Sequence, residues 1–247
     1  MLECSDLTVR YPDGTLALDG VTFSLERGSA ALLGANGAGK TTLMLAAVGV
    51  LPAARGAVRA DGILLTPKTV GEVRRRVGLV FQNPDDQLFM PTIREDVAFG
   101  PRNFGFSRAE IDRRTDDTLA LLGIERLAER SPLRLSGGEK RLAAVAAVLA
   151  ADPTTLLLDE PAAFLDPRAR RRLIGALNAL PHPKLISTHD LRFAEETCTR
   201  VLLLREGRLY ADGGLELLRD AGAMDACGLE PLPPSCAANS SSSVPNL

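Results

Sequence analysis

One segment, Gly34-Ala35-Asn36-Gly37-Ala38-Gly39-Lys40-Thr41, constrains this chain more than any other. The pattern G-x-x-x-x-G-K-[ST] carries weight when a strand precedes it and a helix follows. Ala30 to Leu33 is a short apolar run suited to a buried strand, and Lys40 to about Val48 reads as a helix. The segment is therefore expected to be a phosphate-binding loop. Glycines let the backbone wrap the phosphates, while successive N–H groups and the helix N-terminus supply positive potential. Lys40 would reach the β and γ phosphates, and the Thr41 hydroxyl would ligate Mg²⁺.

The surrounding chain reads as α/β. Strand-like alternation occupies Leu7 to Val9, Leu16 to Leu18 and Val21 to Leu25, with turns at Pro12-Asp13-Gly14 and Arg27-Gly28. Continuous apolar runs at Val77 to Phe81, Thr155 to Leu158, Lys184 to Ser187 and Val201 to Leu204 have the look of strands covered on both faces. Helical segments fill the stretch from Ile93 to Ala151, among them an amphipathic helix over Arg108 to Leu122. A short helix-like piece, Leu215 to Ala221, follows Gly213, and the uncharged Pro, Ser and Ala composition from Pro231 predicts a disordered tail. The expected domains are a discontinuous nucleotide-binding core, 1–82 and 152–230, a helical subdomain over 83–151, and that tail, 231–247.

Composition narrows the function classes. The 247 residues carry 29 basic and 31 acidic side chains, a net charge of −2, whereas a dedicated nucleic-acid binder usually shows a clear basic excess. The basic helix Pro167 to Leu180 is then read as a solvated face, and no nucleic-acid partner is expected. No apolar run reaches the 18 or so residues of a membrane span, and Met1 to Asp6 places acids where an export signal would be basic. Cys4, Cys198, Cys227 and Cys236 form no C-x-x-C pair, which suits reduced thiols better than a disulfide framework.

Two further segments carry chemistry. The run Thr155-Leu156-Leu157-Leu158-Asp159-Glu160 ends an apolar strand in two acids, so Asp159 would lie at the sheet's carboxyl edge beside the phosphate loop and hold Mg²⁺ through water. Glu160 adds a second carboxylate suited to polarise or deprotonate an attacking water. Taken alone, such a pair is also a helix N-cap. Leu135-Ser136-Gly137-Gly138-Glu139-Lys140-Arg141 opens an Ala-rich helix whose two glycines expose N–H donors to an anion, although by itself the segment reads rather as an ordinary capped helix start.

Order and spacing decide between these readings: phosphate loop, Gln82, the Ser136 segment, the acid pair 23 residues later, and His189 another 30 on. In that order the chain resembles the ATP-binding subunits of ABC transporters over roughly residues 2–215. The resemblance implies a P-loop NTPase, RecA-like core with an antiparallel β subdomain and an inserted helical subdomain. It implies ATP and Mg²⁺ as ligands and assigns ATP contacts to Tyr11, Gly34, Ala35, Asn36, Gly37, Ala38, Gly39, Lys40, Thr41 and Thr42, with Tyr11 stacking on adenine. Thr41, Gln82 and Asp159 are the Mg²⁺ set, and Glu160, His189 and Gln82 the catalytic set. Ser136, Gly137, Gly138, Glu139 and Asp166 would act across a head-to-tail dimer on the second subunit's ATP.

A finer likeness lies in Phe81-Gln82-Asn83-Pro84-Asp85-Asp86-Gln87-Leu88-Phe89 and Glu95-Asp96-Val97-Ala98-Phe99-Gly100-Pro101. Both segments resemble those of energy-coupling-factor importers, especially the cobalt and nickel branch. This implies a second ATPase copy, a transmembrane coupling protein, a substrate-binding membrane protein, and peripheral attachment at the cytoplasmic face of the cell membrane. Asp85, Asp86, Glu95 and Asp96 are expected to line the groove that receives coupling-helix arginines, through bidentate contacts. Uptake of a vitamin of the same class is the alternative solute reading. A soluble ABC-type ATPase acting on DNA or ribosomes usually needs a coiled-coil insertion or two ATPase halves, for which 247 residues leave no room, and a small-metabolite kinase gives no account of Ser136-Gly137-Gly138. Two positions depart from the family pattern: Glu139 stands where glutamine is common, and Phe164 where glycine is common.

Overall fold

The computed structural model describes residues 1–233; most of the expected tail lies outside the described residues, as does Cys236. Cys4, Cys198 and Cys227 are buried free thiols.

Two sheets organise the chain. The first is antiparallel, in the order β2-β1-β4-β5, and is built from β1 (Leu2–Arg10), β2 (Leu16–Leu25), β4 (Arg55–Ala60) and β5 (Ile63–Leu64). The second has the order β10-β9-β3-β8-β7-β6. Its strands are β3 (Ser29–Leu33), β6 (Val77–Val80), β7 (Thr155–Asp159), β8 (Lys184–Ser187), β9 (Arg200–Arg205) and β10 (Arg208–Gly213). All neighbours in it are parallel except β10, which returns antiparallel to β9.

Side-chain alternation explains the apolar runs. Successive residues of a strand face opposite ways, and both faces of the large sheet are covered. Ala31, Leu33, Leu156, Leu158, Ile186, Val201 and Leu203 enter one apolar core, shared with α3 (Ile93–Asn103), α4 (Arg108–Leu122), α5 (Gly137–Leu149), α6 (Pro167–Ala179) and α7 (Leu191–Thr197). Ala30, Leu32, Leu157, Leu185, Leu202 and Leu204 enter the other, filled by the antiparallel sheet and α1 (Lys40–Ala47). A strand with no wet face has no reason to alternate apolar with polar.

Helix starts follow local capping chemistry. Thr92, Ser107, Ser136 and Asp166 each accept a backbone N–H from the first turn of α3, α4, α5 and α6 respectively, and α4 stops at Gly123 in the left-handed region. The expectation of two strands at 16–18 and 21–25 is corrected to one continuous strand, because irregularities in its pairing with β1 absorb the Asp19-Gly20 break. Three segments had no expectation attached: β4 with β5, α2 (Val70–Arg76), and β10. The piece expected as a helix over 215–221 is a 3₁₀ turn, Leu215–Arg219, followed by α8 (Ala221–Ala226). Among the described residues no helix is long and apolar enough to cross a membrane.

Candidate active site

The sheet order places the carboxyl ends of β3, β8 and β7 side by side, so the loops leaving them share one edge. Gly39 ends the loop after β3 at φ +104°, and a Cβ there would lie 2.7 Å from the Ala17 carbonyl oxygen. Only glycine fits that approach. Helix α1 begins directly after it with no acidic residue in its first turn and no side-chain cap, leaving its N–H groups directed at the cleft.

Lys40 and Thr41 are held by the loop and the strand opposite. The Lys40 ammonium donates to the carbonyl oxygens of Gly34 at 2.7 Å and Ala35 at 3.0 Å. Burial pulls its pKa below the ordinary lysine value, while Glu160 and Asp159 act in the opposite direction. Thr41 Oγ1 donates to Asp159 Oδ2 at 2.7 Å, which brings a hydroxyl and a carboxylate, both hard oxygen donors, to one point.

Glu160 is the first residue beyond β7 and sits in the left-handed region at φ +49°, a conformation that costs a side-chain-bearing residue about 1–3 kcal/mol. Its N–H donates to the Ser187 carbonyl at 3.0 Å, which holds it against the end of β8. Its side chain is almost fully buried, and Oε2 lies 2.9 Å from Nδ1 of the exposed His189. The strained turn thus aims one carboxylate at the cleft while the histidine holds its outer oxygen.

A cleft of about 320 Å³ collects Tyr11, Asn36, Gly37, Gly39, Lys40, Thr41, Thr42, Gln82, Asp159 and Glu160. Tyr11 Oη is 2.8 Å from Thr42 Oγ1, so the aromatic stands at the mouth beside α1. Gly34, Ala35 and Ala38 do not line this cleft. The Ala35 N–H donates to the Cys227 carbonyl at 3.0 Å, and the Ala38 N–H to the Ala35 carbonyl at 3.1 Å. The backbone donors of Ala35 and Ala38, both expected among the ATP contacts, are paired within the protein.

Ser136, Gly137, Gly138, Glu139 and Asp166 surround a different cavity, of about 860 Å³. Ser136 Oγ accepts the Glu139 N–H at 3.3 Å, while Glu139 Oε2 accepts the Ser136 N–H at 3.1 Å, a reciprocal cap. Arg126 also donates to Glu139 Oε1 at 2.7 Å. The Ser136 N–H, followed by Arg126, holds the Glu139 carboxyl below its ordinary range. Asp166 accepts the N–H groups of Arg168 and Ala169 at 2.8 Å each. Phe164 stands beside this cavity at φ +64° with 87% of its surface exposed.

The four acids expected to line a groove for a membrane partner do not share one cavity among the described residues. Asp85 is exposed and pairs with Lys140 at 2.5 Å, Asp86 is exposed, and Glu95 accepts from the Thr92 hydroxyl at 3.1 Å. Asp96 is corrected: only 3% exposed, it turns inward, where Oδ1 accepts the N–H groups of Phe89 and Met90 at 3.0 Å. Burial raises its pKa above the usual carboxylate value. Beside Phe81 lies an apolar groove of about 340 Å³ to which Gly78, Phe104, Val148 and Arg75 contribute, and none of the four acids lines it.

Arg141 and Gln87 had no expected role. Arg141 is 1% exposed and donates to the Phe81 carbonyl at 2.9 Å. Gln87 accepts the Phe81 N–H at 3.1 Å and donates to the Ala144 carbonyl at 2.6 Å. Both backbone groups of the residue before Gln82 are therefore tied, through these side chains, to α5. A charged side chain facing into the otherwise Ala, Leu and Val core side of that helix was the signal that the sequence offered.

A glycine loop at the end of β3, with an acid pair ending a strand two positions away in the same sheet, defines a P-loop ATPase. The family model for ABC transporters matches residues 18–163, more than half of the chain, and the chain belongs to that family. It is 44% identical over 233 residues to the energy-coupling factor transporter ATP-binding protein EcfA of Carboxydothermus hydrogenoformans, covering 93% of this chain and 86% of the relative. Among solved structures it resembles CbiO1 of Clostridium perfringens, described as part of the ABC transporter complex CbiONQ, with a TM-score of 0.77, 34% identity, and coverage of 90% of this chain and 94% of that one. A dimeric post-hydrolysis structure of the ATP-binding cassette MJ0796 with ADP and Pi gives a TM-score of 0.79 at 26% identity, covering 87% of this chain and 99% of that one. The chain is thus an ABC ATPase with the fold of such cassettes.

Proposed function

We propose that this ABC ATPase powers an energy-coupling-factor importer, converting ATP binding and hydrolysis into movement of a transmembrane coupling protein. The observation that carries the reading is the separation of two half-sites: Lys40, Thr41, Asp159 and Glu160 share one cleft, whereas Ser136 to Glu139 and Asp166 surround another. Each half needs a complement that one chain does not offer. A second copy, arranged head to tail, supplies it twice. The 44% identity to EcfA supports the importer class, and the likeness of Phe81 to Phe89 and of Glu95 to Pro101 to the cobalt and nickel branch points to such an ion as the solute. The solute would be bound by another membrane protein, and the apolar groove beside Phe81 suits a helix of the coupling protein.

In the cleft, the N–H groups of the loop and of α1, with the Lys40 ammonium, orient the phosphates. The Thr41 hydroxyl and Asp159 carboxylate, 2.7 Å apart, fit Mg²⁺, the remaining oxygens coming from phosphates and water. When bound, that ion would neutralise charge on the phosphates. Glu160 Oε1 accepts the proton of the attacking water, while His189 holds Oε2 and keeps the carboxylate in place. The water oxygen bonds to the γ-phosphorus as the bond to the ADP oxygen breaks; departure of the resulting inorganic phosphate removes the group that bridged the two copies, and the dimer reopens.

The test is Glu160→Gln, which keeps the shape and removes the base. Phosphate release should fall by about 10²-fold or more, with ATP affinity nearly intact and an ATP-bound dimer accumulating in light scattering. Wild-type turnover would refute the role of Glu160. Failure to co-purify from detergent-solubilised membranes with a co-expressed coupling protein would refute the importer reading.

A further inference from the structure

Ala35 is the node of the phosphate loop, although it does not line the nucleotide cleft. Its carbonyl oxygen accepts both the Ala38 N–H at 3.1 Å and the Lys40 ammonium at 3.0 Å. Its N–H is held from outside the loop by the Cys227 carbonyl at 3.0 Å. Moving Ala35 therefore moves the loop backbone and the lysine together.

The segment that holds it is firmly seated. Leu218 and Met224 are fully buried, Cys227 and Leu232 nearly so, and all four join the core formed by Phe193, Val201 and Leu203. The Leu232 N–H closes the segment on the Leu218 carbonyl at 2.7 Å. Gly228 turns the chain away at φ +68°, where an added Cβ would meet the Ala35 Cβ at 3.1 Å. Leu229 to Leu232 then form one wall of a cavity of about 350 Å³ whose other wall is His189 to Arg192. One short segment thus bears on the phosphate loop and borders the histidine turn.

We infer that Cys227 and Gly228 are positioning residues for ATP binding: their backbone fixes Ala35, and through it the Lys40 ammonium and the phosphate-facing N–H groups. Preorganised donors act fully only when the framework holds them where charge will sit. Gly228 serves by its size, since it lets the Cys227 carbonyl approach while keeping clear of the Ala35 methyl. The inference rests on reading Gly34 to Thr42 as the nucleotide site.

The test uses the full chain and the variant Gly228→Asn, because asparagine tolerates the left-handed region while its Cβ presses on Ala35. Affinity for a fluorescent ATP analogue should weaken about three- to tenfold, the scale of one neutral hydrogen bond. KM for ATP should rise by a similar factor, with kcat changed less. Ala35→Gly in the Gly228→Asn background removes the opposing methyl and should return the affinity to that of Ala35→Gly alone. Lys40→Ala, measured in parallel, should bind far more weakly than wild type. Wild-type affinity in Gly228→Asn overturns the inference. So does a lower thermal midpoint with unchanged binding, or a double variant no better than Gly228→Asn. If Lys40→Ala binds normally, the nucleotide-site reading falls, and this inference with it.

Discussion

Replacing Phe164 by glycine should weaken dimerisation without weakening the monomer. In the single chain Phe164 is 87% exposed at φ +64°, so little packing is lost on truncation, and the backbone strain of about 1–3 kcal/mol is relieved. Glycine's greater freedom in the unfolded chain takes back about 0.5–1 kcal/mol. The monomer should therefore be as stable as wild type or slightly more so. In the proposed dimer each Phe164 faces the other copy, and burying a phenylalanine side chain contributes about 1.5–3 kcal/mol. Two such side chains per dimer make about 3–6 kcal/mol, which at 1.4 kcal/mol per decade weakens dimerisation by at least about 100-fold. Sedimentation equilibrium with a non-hydrolysable ATP analogue reads the association, and urea unfolding without nucleotide reads the monomer. An unchanged dimer constant, or a monomer that loses more than about 1 kcal/mol, would show that Phe164 is held by its own chain and serves no contact between copies.

Arg141→Leu should leave the Phe81 carbonyl without its buried donor, lowering stability by about 1–3 kcal/mol in urea unfolding; an unchanged midpoint would show that water or another group replaces the guanidinium. Glu139→Gln keeps the cap geometry but removes a carboxylate whose folded-state pKa is held below its ordinary 4.5. A depressed acid contributes stability that is present above the unfolded value and lost as pH falls through the folded one. The wild type should therefore lose more stability than Glu139→Gln as pH is lowered from about 5, and parallel curves would refute the coupling.

The site was legible in the sequence where its chemistry is local. A glycine loop, its lysine and threonine, and an acid pair at a strand end identify themselves by adjacent residues, and the structure places Lys40, Thr41, Asp159 and Glu160 in one cleft. Asp96 misled because its neighbours in the chain are those of an exposed helix start, whereas its acceptor role depends on the N–H groups of Phe89 and Met90 folding back over it. The strands β4 and β5 and the helix α2 gave weak signals for a related reason: β4 is partly exposed and carries Arg55, Gly56 and Arg59, and pairing with β1 holds it in place.

By itself the sequence determined the class of chemistry and the alternation of strand and helix, because glycine stereochemistry, capping and strand burial are written within a few residues. Tertiary structure alone decided which groups meet from afar: His189 on Glu160, Arg141 on Phe81, and Cys227 on Ala35. It also decided that the cleft around Lys40 and the cavity around Ser136 lie apart in one chain. Distances between residues remote in sequence depend on sheet order and on how helices pack, and no local pattern encodes either.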